Sequence, residues 1–171
     1  MHTFGSALSL VGVTVPAHLE ADADVPILAG PQAQGDLIVL LAPEPRKAVW
    51  EALPGNGIQL IQGEATGNTH WLHPGFDSPG VSWAPIGPQL RPTRDVGLAL
   101  GHVRIPDGQS ALLIHTDEHG ANGIGPGCYV IHRKRQLRLA VAAQDRDARP
   151  TSAATSIRTR PQPRAWDYVW D

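Results

Sequence analysis

The sequence has little cysteine, no long apolar run and almost no helical periodicity. Cys128 is the only cysteine among 171 residues, which excludes an intrachain disulfide and a thiolate metal cluster and fits a reducing compartment. No apolar run reaches the roughly 18 residues needed to cross a membrane. The first residues also lack the basic start of a secretory signal, and Glu20 and Asp22 follow early. We therefore expect a cytoplasmic protein with no membrane partner.

Charge is also scarce, but it is unevenly distributed along the chain. Residues 1–132 contain five Lys or Arg and twelve Asp or Glu, a net charge of −7. Residues 133–171 contain nine Lys or Arg and four Asp or Glu, a net charge of +5. The domain is not basic as a whole, so the basic run that starts at Arg133 fits a solvated strand end better than a nucleic-acid contact.

Glycine and proline, with 18 and 16 residues, interrupt nearly every possible helix. Only a short helical turn over residues 45–53, closed by Pro54-Gly55, is predicted. Pro106-Asp107-Gly108 predicts a hairpin turn, and the glycine-rich stretch 120–127 predicts a wide turn. Short apolar or alternating runs predict strands over residues 7–15, 36–41, 57–62, 68–72, 96–105, 110–115 and 127–133, the last extending to 139. The pattern predicts an all-β, single-domain sandwich or small barrel.

The composition divides the chain into three predicted parts. Residues 1–142 form the β-rich domain, and residues 143–164, rich in Pro, Arg, Asp, Ser and Thr, have the composition of a linker or insertion. Residues 165–171 form a C-terminal arm that contains Trp166, Tyr168 and Trp170. Burial of such large aromatic side chains is favourable, so we expect the arm to fold back, for instance as an added strand. The alternative is a peptide that binds a partner.

Histidine carries the sharpest functional signal. His70 lies in a predicted strand, where Asn68 shares its face because side chains alternate. His115 ends a second predicted strand, and His119 begins the loop that follows it. If the two strands are neighbours, the three imidazoles meet at one end of a sheet. The alternative is that these histidines form hydrogen bonds with the backbone.

Clustered imidazoles suit a divalent transition metal such as Zn, Fe, Ni or Mn. His70, His115 and His119 are the predicted ligands, with Asn68 as a weaker one. Glu118 would add an oxygen ligand or act as a general base on a metal-bound water. Asp117 and Glu118 are adjacent and diverge on a strand, which argues against a mechanism with paired carboxylates.

Four segments resemble an uncharacterised family of small bacterial proteins. They are Gly63–His70, His115–Gly120, Pro126–Tyr129 and Arg133–Gln136, and the closing Val169-Trp170-Asp171 fits as well. The family pattern reads approximately G-E-x-T-G-H-x-H, H-x-E-H-G, P-G-x-Y and R-Q-R-E, with V-x-D near its end. His70, His115, Glu118 and His119 fall on this pattern, whereas Asn68 stands where it has a histidine. The resemblance implies no established activity.

The spacing also resembles, in part, that of the cupins. Asn68-x-His70 stands in place of their H-x-H pair, and His115 follows after the Pro106-Asp107-Gly108 turn. A cupin-like fold is therefore one form that the predicted β-domain could take.

Two functions remain open at this point. The first is a small accessory or assembly domain that binds a protein partner or a second copy of itself, through Arg133 and Arg135 together with Trp166, Tyr168 and Trp170. The second is a cupin-like metalloprotein or small metalloenzyme that uses His70, His115 and His119. The sequence does not decide whether the protein is an enzyme.

Overall fold

The fold is known from a computed structural model, which describes residues 2–62, 69–86, 98–116, 119–137 and 166–168. One short helix and thirteen strands lie in these ranges. They are α1 (Phe4–Ser9), β1 (Ile27–Leu28), β2 (Gln32–Gln34), β3 (Leu37–Leu41), β4 (Glu51–Ala52), β5 (Ile58–Gln62), β6 (Thr69–His73), β7 (Ser82–Pro85), β8 (Ala99–Ile105), β9 (Ala111–His115), β10 (Ala121–Ile124), β11 (Gly127–Arg133), β12 (Arg135–Leu137) and β13 (Trp166–Tyr168). Over the described ranges, no helix is long and apolar enough to span a membrane.

The strands form two main sheets and a small two-stranded one. The first sheet has the order β1-β10-β9-β6-β5, and the second has the order β2-β3-β11-β8-β7-β4. Neighbouring strands are antiparallel except β1 and β10, which are parallel. β12 and β13 pair separately. The predicted all-β sandwich is confirmed, and the two main sheets do not close into a barrel.

The core lies between the inner faces of the two sheets. Side chains alternate along each strand, so every second residue points inward. Leu72 and Leu113 of the first sheet meet Val39, Val103 and Ile131 of the second, and all five are fully buried. His70 of β6 and His115 of β9 continue this inner face.

The N-terminal segment covers the outer face of the first sheet. α1 begins with a capping box, in which Thr3 and Ser6 each satisfy the other's backbone N–H. Leu8 of α1 packs with Leu112 and Ile114, the outward-facing residues of β9. β9 is therefore buried on both faces, which explains why its sequence is a continuous apolar run.

Two predictions of local structure are wrong. Residues 7–15 were expected to form a strand, but their first part belongs to α1, which is too short for a helical period to be recognised. The helical turn expected over 45–53 does not form a helix: a single turn closes where the N–H of Ala48 donates to the carbonyl of Pro45 at 3.2 Å, and the chain then extends into the short strand β4. The prolines at 43, 45 and 54 restrict the backbone here and favour the extended form.

The predicted hairpin at Pro106-Asp107-Gly108 is also wrong. The turn is present, but β8 pairs with β7 and β11 in the second sheet, whereas β9 pairs with β6 and β10 in the first. The turn residues specify the reversal of the chain and not the partner of each strand.

The glycine-rich stretch contains a strand, β10, where only a turn was expected. A Cβ at Gly123 would lie 2.6 Å from Cγ1 of Ile27, so glycine there permits the close parallel pairing with β1.

Candidate functional site

The structure places His70 and His115 directly opposite each other on neighbouring strands. β6 and β9 pair antiparallel, with His70 in register with His115. His70 shares its face with Leu72, and His115 shares its face with Leu113, so both imidazoles point toward the space between the sheets. Their ring centroids are 4.4 Å apart, with the planes at 70°. The two rings therefore terminate the core at one end of the sandwich.

His119 extends this pair toward solvent. Its ring centroid lies 4.9 Å from that of His115, and its backbone N–H contacts Nδ1 of His115 at a long 3.4 Å. His70 and His115 are buried, whereas His119 is exposed. The three imidazoles thus form a row that leads from the interior to the surface, and we call them the histidine cluster.

Hydrogen bonds hold the strand ends that carry the histidine cluster. The N–H of Thr116 donates to the carbonyl of Thr69 at 3.1 Å, and the N–H of Thr69 donates to Oγ1 of Thr116 at 2.9 Å. The indole of Trp71 donates to Oγ1 of Thr69 at 3.0 Å. The N–H of His115 reaches the carbonyl of Gly120 at 2.8 Å and so closes the loop that positions His119.

A turn of the second sheet lies against the histidine cluster. β2 and β3 are joined by the two-residue turn Gly35-Asp36, and Gly35 has a φ of +48°. A Cβ at Gly35 would lie 2.6 Å from Nε2 of His70 and 3.1 Å from Cδ2 of His119. Glycine is therefore required both for the backbone conformation and for the close approach. Sequence reasoning missed this contact because it joins residues far apart in the chain.

The same turn brings a buried amide to the histidine cluster. Gln34 is only 4% exposed, and its Nε2 donates to the carbonyl of Gly120 at 3.1 Å and to that of His119 at 3.5 Å. The only sequence signal for this residue is the alternation Gln32-Ala33-Gln34, in which two polar side chains share one face of a strand.

Burial makes His70 a neutral imidazole. Desolvation, together with the nearby His115, lowers the pKa of His70 to about 3, and His119 and Lys134 act in the same direction. The backbone carbonyl of Gln34 opposes the shift. Nε2 of His70 is buried and has no hydrogen-bond partner among the described residues. A buried ring nitrogen that makes no hydrogen bond to the protein is available to bind an ion or a ligand.

The side chains do not form a finished metal site as they lie. Among the described residues, no group of three His, Cys, Asp or Glu is arranged to hold a metal ion. Imidazoles that share a tetrahedral ion with Zn–N bonds of about 2.0–2.1 Å have centroids roughly 5 Å apart. The spacing of 4.4 Å between His70 and His115 and that of 4.9 Å between His115 and His119 are close to this value.

Other predicted site residues fall partly outside the described ranges. Asn68, Glu118 and Trp170 lie outside them, and so does the predicted linker over residues 143–164. Arg133 is half-buried at the end of β11. In the β12–β13 pair, Arg135 is in register with Tyr168, and Trp166 with Leu137, although the side chains of these strands are not described.

Comparison with known proteins places the histidine cluster within a domain of unknown function. The family described as "Domain of unknown function (DUF8820)" matches residues 33–134, which include Gln34, Gly35 and all three histidines of the cluster. No curated protein and no solved structure matches the chain. The expectation of an uncharacterised family is confirmed at this level, and the chain belongs to the DUF8820 family.

Proposed function

We propose that this domain binds one divalent transition metal ion through His70, His115 and His119. The observation that carries the proposal is the buried Nε2 of His70, which has no hydrogen-bond partner among the described residues and lies beside two further imidazoles. Neutral imidazole nitrogen is a preferred ligand of Zn, Fe and Ni, and Mn accepts it together with oxygen. The low pKa of His70 supports the proposal because metal binding requires the neutral ring.

Two adjustments would close the site. The ring of His119 is exposed, so it is able to turn toward an ion that enters from solvent. Nδ1 of His115 accepts from the N–H of His119 at 3.4 Å, which leaves the ring proton on Nε2. Binding an ion at that nitrogen would move the proton to Nδ1 at the expense of this hydrogen bond, which is long and therefore weak.

The chemistry beyond metal binding depends on residues outside the described ranges. Glu118 is the predicted general base for a metal-bound water, and Asn68 is a predicted additional ligand. If these two residues take part, the protein would be a cupin-like metalloprotein or a small metalloenzyme.

The metal content of the purified protein tests the proposal. Tag-free protein would be analysed for metals as purified, and again after dialysis against Zn, Ni, Fe or Mn. We expect about one equivalent of one of these ions. His70→Ala and His119→Ala should lose it while they keep the far-ultraviolet circular dichroism of a β-protein.

A matched control uses a histidine remote from the cluster. His102 lies on β8 of the second sheet, on the face opposite to that of the inward-facing Val103, and His102→Ala should retain the metal. Absence of bound ion from the wild type under all of these conditions would contradict the proposal. Equal loss in His102→Ala would also contradict it, because the ion would then not depend on the cluster.

A second candidate function is assembly with a protein partner or a second copy of the chain. It is supported by the exposed apolar residues Ile27 and Leu28, which form the edge strand β1 and are about half-exposed. The predicted contact residues Arg133, Arg135, Trp166, Tyr168 and Trp170 would add a second surface. Light scattering of the full chain and of a variant lacking residues 165–171 tests this function. A monomer at all concentrations in both proteins would contradict self-assembly.

A further inference from the structure

A second buried polar atom lies on a side chain that is bonded to the histidine cluster. Oε1 of Gln34 is buried and has no hydrogen-bond partner among the described residues. The other end of the same amide, Nε2, is bonded to the carbonyls of Gly120 and His119. Because only a donor satisfies a carbonyl, these two bonds identify the nitrogen and leave the oxygen as an unsatisfied acceptor.

The two unsatisfied atoms belong to one small region. Gln34 immediately precedes Gly35, whose Cβ position lies 2.6 Å from Nε2 of His70. Leaving a buried acceptor without a partner costs about 1–3 kcal/mol. Nε2 of His70 and Oε1 of Gln34 form no hydrogen bond with each other. A cation near the turn would accept a lone pair from each of these two atoms.

We propose that Oε1 of Gln34 is a fourth donor to the metal ion, which gives the site three nitrogens and one oxygen. This inference rests on the proposed function and adds a ligand from the opposite sheet. A neutral amide oxygen is a hard donor, so its presence favours Zn, Fe, Ni or Mn over Cu(I). The same amide holds the loop of His119 through its nitrogen, so one residue both binds the ion and positions another ligand.

The chain provides a matched control on the same strand. Gln32 shares the inward face of β2 with Gln34 and is also buried. Its Nε2 donates to the carbonyls of Leu28 at 3.3 Å and Gly123 at 3.4 Å. Its Oε1, like that of Gln34, is buried and has no hydrogen-bond partner among the described residues. The two glutamines differ in position, because Gln32 lies two residues farther along β2 from the turn that contacts the histidine cluster.

The test compares Gln34→Leu, Gln34→Glu and Gln32→Leu with the wild type. The affinity for Zn²⁺ would be measured by competition with a chromophoric chelator, and the ligand set would be probed through the visible absorption of bound Co²⁺. We expect Gln34→Leu to weaken Zn²⁺ binding at least about tenfold. Gln32→Leu should change it less than about twofold. Gln34→Glu keeps an oxygen donor, so it should bind Zn²⁺ more tightly than Gln34→Leu does. Because the donor changes from an amide to a carboxylate, the spectrum of bound Co²⁺ should differ from that of the wild type.

The outcomes separate this inference from the proposed function. A wild type that binds no metal overturns both. A wild type that binds metal, with an unchanged affinity and Co²⁺ spectrum in Gln34→Leu and Gln34→Glu, overturns the role of Gln34 alone. If Gln34→Leu does not fold, Gln34→Glu decides: an unchanged Co²⁺ spectrum overturns the role of Gln34, and a changed one supports it.

Discussion

At the scale of single residues, the molecule contains a histidine in an environment that suits a neutral ligand. His70 is 2% exposed and its ring centroid lies 4.4 Å from that of His115, so both burial and a neighbouring imidazole disfavour a positive charge on it. Burial has the same effect on the pKa of His73 and His102. Such groups make the folded state sensitive to acid, because the unfolded chain accepts protons that the folded chain does not.

The pH dependence of stability tests this account of His70. Its pKa is about 3 in the folded protein against 6.5 for an ordinary histidine, so its contribution is complete above pH 6.5 and is lost as the pH falls toward 3. The slope for one proton approaches about 1.4 kcal/mol per pH unit. Urea unfolding with a chelator present, between pH 7.5 and 5, should show a smaller slope in His70→Leu than in the wild type. Identical slopes below pH 6.5 would contradict the assignment.

At the scale of elements, the histidine cluster is assembled by strand pairing and closed by a turn. The register of β6 and β9 sets His70 against His115, and the Gly35-Asp36 turn of the other sheet presses on both His70 and His119. The turn therefore links the two sheets at this end of the sandwich.

Substitution of Gly35 should destabilise the protein more than that of another glycine with positive φ. Gly35→Ala adds the strain of a φ of +48° and a contact of 2.6 Å with His70, and we expect a loss of about 2–3 kcal/mol. Gly108 has a φ of +74° with no atom within 4 Å, so Gly108→Ala should lose only about 1 kcal/mol. Urea unfolding of both variants measures the difference. Equal losses would show that the turn does not press on the histidine cluster.

The sequence predicted those elements that have a clear period of their own. Strands such as β3, β5 and β11 were predicted because their apolar or alternating runs are bounded by glycine or proline. The sequence does not predict β10, because glycine, which there permits close pairing with β1, is also a strong turn signal. The hairpin between β8 and β9 was assigned wrongly because pairing depends on which sheet each strand joins.

The candidate site was predictable in part for the same reason. Strand alternation placed His70 and His115 on inward faces, and the structure brings them together through pairing of β6 with β9. Gln34 and Gly35 were not predictable, because their contacts join positions about 35 to 85 residues apart along the chain. Long-range contacts leave no local period in a sequence.

At the scale of the whole molecule, the fold needs more of the chain than the family match covers. The match begins at residue 33, but the outer face of the first sheet is covered by the N-terminal segment. Leu8 of α1 is fully buried against this face. The segment is thus an integral layer of the domain.

Truncation of Leu8 should therefore be costly although it lies outside the family match. Leu8→Ala creates a cavity in a fully buried position, and we expect a loss of about 2–5 kcal/mol. Leu41 is 60% exposed, so Leu41→Ala should change stability by less than about 0.5 kcal/mol. Chemical unfolding compares the two variants. A loss for Leu8→Ala no larger than that for Leu41→Ala would show that the N-terminal layer does not stabilise the domain.

The central claim is that the histidine cluster binds a metal ion, and anomalous diffraction from crystals grown with Zn²⁺ tests it most directly. The account predicts one strong anomalous peak about 2.0–2.1 Å from a ring nitrogen of His70, with His115 and His119 around it. The absence of a peak there, or a peak only at a remote histidine such as His102, would contradict the account.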